Sequence, residues 1–155
     1  MSHTSEFKTI DDVLQRWLKR ARESQLSHHL MTESLENQHT WLGILIIIAT
    51  AVAGATTLAT EITENSKLAL GLLTLLATIL TALQTFLKVE QRASRHRIAA
   101  AGYGQVRRKL ELAASLTAEQ AEARIKEAEV ALNELAQESP SVSKRSYDKA
   151  MKRSK

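Results

Sequence analysis

The chain has 155 residues, a formal net charge of +4 from 21 Lys and Arg against 17 Asp and Glu, and no cysteine. The missing cysteine excludes a disulfide framework and thiolate metal sites. A single proline and a thin supply of Val and Ile outside two apolar stretches leave nothing to build a sheet from, so the expected fold class is an all-α membrane protein. The basic excess lies beside those stretches and in the last dozen residues, where anionic lipid headgroups account for it at least as well as nucleic acid, and no direct nucleic-acid binding is expected.

Residues 1–40 form the first region. Ile10, Val13, Leu14, Trp17, Leu18 and Ala21 recur at three-and-four spacing, with Asp11, Asp12, Arg16, Lys19 and Arg20 between them, which marks an amphipathic helix. Thr9 is its expected N-cap, and Asp11 and Asp12 then occupy the first turn, where the helix dipole favours carboxylates. Leu26, Leu30 and Leu35 continue the apolar contacts less regularly, leaving open whether the helix runs on or breaks near Ser27. This polar region does not fit a cleavable signal peptide.

Residues 41–60 and 68–87 are apolar and carry no charge; between them lies the polar segment EITENSK, residues 61–67. Some twenty helical residues at about 1.5 Å each cover roughly 30 Å, the hydrocarbon thickness of a bilayer. A surface helix of a soluble bundle would show charges on one face every three or four residues, and neither stretch does so. The pair therefore reads as a transmembrane hairpin, with 61–67 as an external loop. Only Lys67 lies in that loop, whereas Lys88, Arg92, Arg95 and Arg97 follow the second span, so the positive-inside rule places both termini in the cytoplasm. Trp41 and Phe86 fall at the cytoplasmic interface.

Residues 88–138 are expected to form a cytoplasmic helical hairpin. No helix breaker appears before Gly102 and Gly104, so the second span should extend well beyond the membrane, with Ile98 or Ala99, then Tyr103, Val106, Leu110 and Ala113 along one apolar edge. The two glycines cost about 1 kcal/mol each against Ala in a helix interior and are candidate hinge positions. TAEQ, beginning at Thr117, has the capping-box arrangement of Thr117 with Gln120. The next helix spaces Ala121, Ile125, Ala128, Leu132 and Leu135 as a coiled-coil seam and should fold back antiparallel onto the extension. Ser139 and Pro140 end it. Residues 139–155 form a basic terminal segment in which Val142, Tyr147, Ala150 and Met151 would anchor a short helix.

Catalytic chemistry finds no support in these residues. The histidines at 3, 28, 29, 39 and 96 include no pair at i, i+4, and His29 with Glu33 makes too poor a ligand set for a metal, so neither catalytic residues nor a cofactor or metal is expected. The GYG at residues 102–104 follows no strand and is not a phosphate loop. Thr74, Thr78, Thr81 and Thr85 form one stripe along the second span, and Thr50, Gly54 and Thr57 a shorter one along the first. Such stripes either line a pore formed by several copies or serve close helix packing, with each hydroxyl bonded to its own helix.

The order of parts, and the stretches NQHTWLGILIII, LGLLTLLATILTALQTFL, VEQRASRHRIAAAGYGQVRRKLE and SPSVSKRSYDKA, resemble the SLATT family of bacterial two-span membrane proteins over residues 28–150. The resemblance implies a role in prokaryotic conflict systems, in which SLATT proteins are thought to form pores or disrupt membrane integrity during cell suicide, beside nucleotide-second-messenger synthetases, nucleotide-sensing domains or reverse transcriptases. It also makes Arg92, Arg95, His96, Arg97 and Tyr103 candidate regulatory or lipid-contacting residues. Unlike fused versions, this chain carries no added sensor domain, so its trigger is expected from a separate nucleotide-signalling or reverse-transcriptase partner or from a ligand.

Two functional readings follow. In the first, the chain is a homo-oligomeric anti-phage effector embedded in membrane lipids, with Thr74, Thr78, Thr81 and Thr85 as pore lining. In the second, the spans are a non-conducting anchor, and the seam from Ala121 to Leu135 recruits a soluble defence enzyme.

Overall fold

The computed structural model describes residues 10–57 and 63–154, and every regular element among them is an α-helix: α1 (Ile10–Thr57), α2 (Glu64–Leu87), α3 (Val89–Ala113), α4 (Ala118–Glu138) and α5 (Lys144–Ser154). The expected cap Thr9, residues 58–60 of the first apolar stretch and the first two residues of the inter-span loop, 61–62, lie outside the described residues. The chain divides into two units, one of residues up to Thr32 and from Ser94 onward, the other Glu33–Ala93.

The Glu33–Ala93 unit contains the second half of α1 and all of α2. Helix α1 does not break near Ser27 and passes unbroken into the first apolar stretch. Its most apolar 18-residue window is only 6 % buried, and so is that of the α2 region, whereas the core helix of a soluble domain would be mostly covered. Ile47, Leu68, Leu72 and Phe86 stand 60 to 80 % exposed. Both helices are long and apolar enough to cross a membrane. Helix α2 starts at Glu64, inside the segment expected as loop. Thr63, extended at φ −69° and ψ 157°, accepts a hydrogen bond from the Ser66 amide at 3.4 Å, and Lys67 pairs with Glu64 at 2.7 Å. These local bonds satisfy the first turn before the apolar run begins.

The expected continuous extension of the second span is interrupted at Lys88. Its backbone is left-handed, φ 46° and ψ 43°, and it closes α2 without a glycine. The break resets the helical phase, so that Val89 and Ala93 are buried while Phe86 and Leu87 just before it are exposed.

The other unit is built on α3. Tyr103, Val106, Leu110 and Ala113 meet Ala121, Ile125, Ala128 and Leu132 of α4 and Leu14 and Ala21 of α1 in one core, with Val13, Trp17, Leu18 and Leu135 packed at its edge. Ala113 shares this core with Ala121 near the turn, and farther along Gly102 lies against Leu135, so α4 returns antiparallel along α3. Of the alternatives for the α3 edge, Ala99 is buried and Ile98 is 68 % exposed. The seam expected to be available to a recruited enzyme is therefore consumed within the chain. Thr117 has N-cap backbone geometry, but its side chain makes no capping bond, so the expected capping box does not form. Helix α5 forms, and of its expected anchors Ala150 is buried while Tyr147 is half exposed; Ser146, not one of them, is buried as well. Ser143 caps it, accepting from the Ser146 amide at 3.3 Å, while the Ser146 hydroxyl reaches Met31 Sδ at 3.2 Å.

A left-handed lysine costs about 1 kcal/mol more than glycine in the same conformation. Lys88→Gly should therefore raise the stability of the detergent-solubilised protein by about that amount, read from denaturant unfolding. Lys88→Val should lower it, because a β-branched side chain tolerates this backbone least.

Candidate functional site

Threonines from both apolar helices converge on one groove. Thr50 and Thr57 of α1 and Thr74, Thr78, Thr81 and Thr85 of α2 line a cavity of about 960 Å³, floored by Ala53, Gly54 and Ala77. Ala53 and Ala77 are buried at 6 and 3 % exposure, because residues this small let the two helix backbones approach. All four threonines expected as a stripe share this one surface, and the shorter stripe of the first span joins them.

Each of these six hydroxyls donates to its own helix. Thr74 reaches the Gly71 carbonyl at 2.9 Å, Thr78 the Thr74 carbonyl at 2.8 Å, Thr81 that of Ala77 at 2.8 Å and Thr85 that of Thr81 at 3.0 Å. On α1, Thr50 bonds the Ile46 carbonyl at 2.9 Å and Thr57 that of Ala53 at 2.7 Å. With the proton committed inward, the hydroxyl oxygen shows only acceptor lone pairs to the groove. At the far end of α2, Gln84 Nε2 donates to His39 Nδ1 at 3.1 Å, tying the helices together with a polar pair.

The expected regulatory residues separate into two groups. Arg92, Arg95 and Arg97 are exposed, whereas His96 and Tyr103 are buried. Across 68 positions of sequence, His96 meets His28 of α1, with the two Nδ1 atoms 2.9 Å apart. At that distance one Nδ1 donates and the other accepts, so the two rings cannot both carry a proton at this atom. Tyr103 stacks on His28, ring centroids 5.6 Å apart and planes 16° from parallel. Burial, and then the neighbouring His96 and His29, hold the His28 imidazole down at about pH 4, from an ordinary value of 6.5. The candidate hinges Gly102 and Gly104 lie inside an unbroken α3 and admit side chains: a Cβ on Gly102 would stand 2.5 Å from Leu135 Cδ2, and one on Gly104 2.9 Å from Gln25 Nε2.

No family model, curated protein or solved structure matches the chain. Among the described residues, no group of three or more His, Asp or Glu is arranged to hold a metal ion. His28 was not singled out by spacing, because its partner lies on another helix. In the sequence, His28 falls in line with the apolar positions Ala21 and Leu35, seven residues to either side.

Between pH 6.5 and 4 the unfolded chain holds a proton on His28 that the folded chain does not, so stability falls as the pH is lowered through this window, by at most about 3 kcal/mol, and levels off below it. In His28→Gln that slope should be shallower. Denaturant midpoints measured in detergent at pH 7, 5.5 and 4 provide the check, and an unchanged slope in the variant would remove His28 as its source.

Proposed function

We propose that this protein is a two-span effector of the bacterial inner membrane, with both termini in the cytoplasm, whose copies assemble to make the membrane permeable during an anti-phage response. The groove between α1 and α2 carries this reading. Two helices with uncovered apolar faces bring six threonines to one concavity, and an acceptor-lined stripe of this kind suits a water path better than an outer surface facing lipid. One hairpin cannot enclose such a path, so the open side must be closed by other copies. The resemblance to SLATT proteins supports the setting, and a separate partner or nucleotide signal supplies the trigger. A recruiting scaffold is favoured less, since Ala121, Ile125, Ala128 and Leu132 are already buried against α1 and α3.

The electrostatics of the lining give the path a preference. Six hydroxyls that have spent their protons present oxygens to the interior, which hold water by its hydrogens and stabilise cations over anions. In planar bilayers under a potassium chloride gradient, the reversal potential should move toward that of potassium. Thr78→Leu with Thr81→Leu should lower liposome flux by about tenfold or more while insertion and assembly persist. Normal flux in the double variant would mean that these hydroxyls pack between helices instead.

A further inference from the structure

Arginines from three helices line one concave surface of the unit built on α3. Arg22 of α1, Arg107 of α3 and Arg153 of α5 line a cavity of about 300 Å³ together with Gln25, Leu26 and His29, and among the described residues no carboxylate lines it. A second cavity of about 400 Å³ shares Arg22 and Arg107 and adds Lys19 and Glu111. Residues 22, 25, 26 and 29 follow i, i+3, i+4, i+7 spacing, so one face of α1 supplies most of the wall. Gly104 makes this face accessible to α3, because a methyl group there would stand 2.9 Å from the Gln25 amide nitrogen.

Clustering like charges is unfavourable unless something offsets them. Arg153 sits in the last turn of α5, where the carbonyl end of the helix compensates part of its charge, but Arg22 lies in the interior of α1 without that help. Neither has an ion-pair partner among the described residues. Arg107 Nε lies 3.3 Å from Glu111 Oε1, yet this buried nitrogen makes no hydrogen bond, since its N–H is not aimed at that oxygen. One arginine is thus half neutralised and two are not, around a cavity at the lower end of the size range for small-ligand sites.

We infer that this cleft binds a phosphate-bearing anion, with Arg22, Arg107 and Arg153 supplying the charge and Gln25 and His29 supplying hydrogen bonds. Planar guanidinium groups match phosphate oxygens two at a time, and convergence from three helices lets one anion tie α1, α3 and α5 together. The assignment does not depend on whether the apolar hairpin conducts. A free phosphate compound and a lipid headgroup present the same chemistry to these residues.

The test uses the full chain in neutral detergent and follows its thermal midpoint. Sodium pyrophosphate is titrated against sodium chloride of equal ionic strength, and dihexanoyl phosphatidic acid against dihexanoyl phosphatidylcholine. A saturable rise with pyrophosphate assigns a soluble anion, and a rise with phosphatidic acid alone assigns a headgroup; both support the cleft. Arg22→Gln with Arg153→Gln should weaken the effective probe by about tenfold or more, and Arg22→Lys with Arg153→Lys should recover part of it. Lys144→Gln with Arg145→Gln removes the same charge at the other end of α5 and should change nothing. The proposal is overturned if neither probe gives a saturable rise, or if the Lys144 and Arg145 control loses the effect as fully as the cleft variant.

Discussion

Helices α1 and α2 leave Ile47, Leu68, Leu72 and Phe86 largely uncovered, and a surface of that extent is compatible with water only when something other than the chain covers it. Much else in the apolar pair follows from this constraint. Where water is excluded, every backbone and side-chain polar group must find a partner in the protein, which selects helix and leaves little room for free donors. The threonines comply by bonding back to their own turns, and Gln84 complies by reaching His39. Polar atoms in the groove are thus satisfied before any second copy or water arrives. Acceptor lone pairs are what they still offer.

The unit built on α3 obeys the opposite rule, since its apolar side chains are covered. Small and large residues share its core: Ala21, Ala113, Ala121 and Ala128 let helix axes approach, and larger side chains such as Leu110 fill the space between them. Gly102 and Gly104 extend the same economy to positions where Leu135 and Gln25 need the volume a Cβ would take. Within this packing, His28 and His96 are a polar pair whose mutual hydrogen bond makes their burial tolerable while His28 is neutral. That condition links the packing to pH.

The elements most legible in the sequence were those set by periodicity and by charge exclusion. The amphipathic start of α1, the apolar edge of α3 from Tyr103 to Ala113 and the seam of α4 are where spacing put them, because burial on a helix selects every third or fourth residue whatever the partner. Details decided by local bond competition were less legible. Thr117 has a capping sequence but no side-chain cap, while Thr63, in a stretch that reads as loop, has one. Of the residues that spacing offers as anchors of α5, Ala150 is buried but Tyr147 is half exposed, and Ser146, which reaches Met31 of α1, is buried instead. The break at Lys88 had no sequence signal, since no glycine, asparagine or proline marks it.

The sequence by itself determined that the fold class is all-α, that two stretches can cross a membrane, and that the threonines of each stretch share a face, because these follow from hydropathy and helical repeat along one stretch of chain. Only the tertiary structure decided that the two threonine faces meet in one groove, that His28 lies against His96, and that Arg22, Arg107 and Arg153 surround one cleft. Each of these joins residues on different helices, and the rotation and register of one helix against another are fixed by side-chain volumes at the contact, which no period in a single helix encodes.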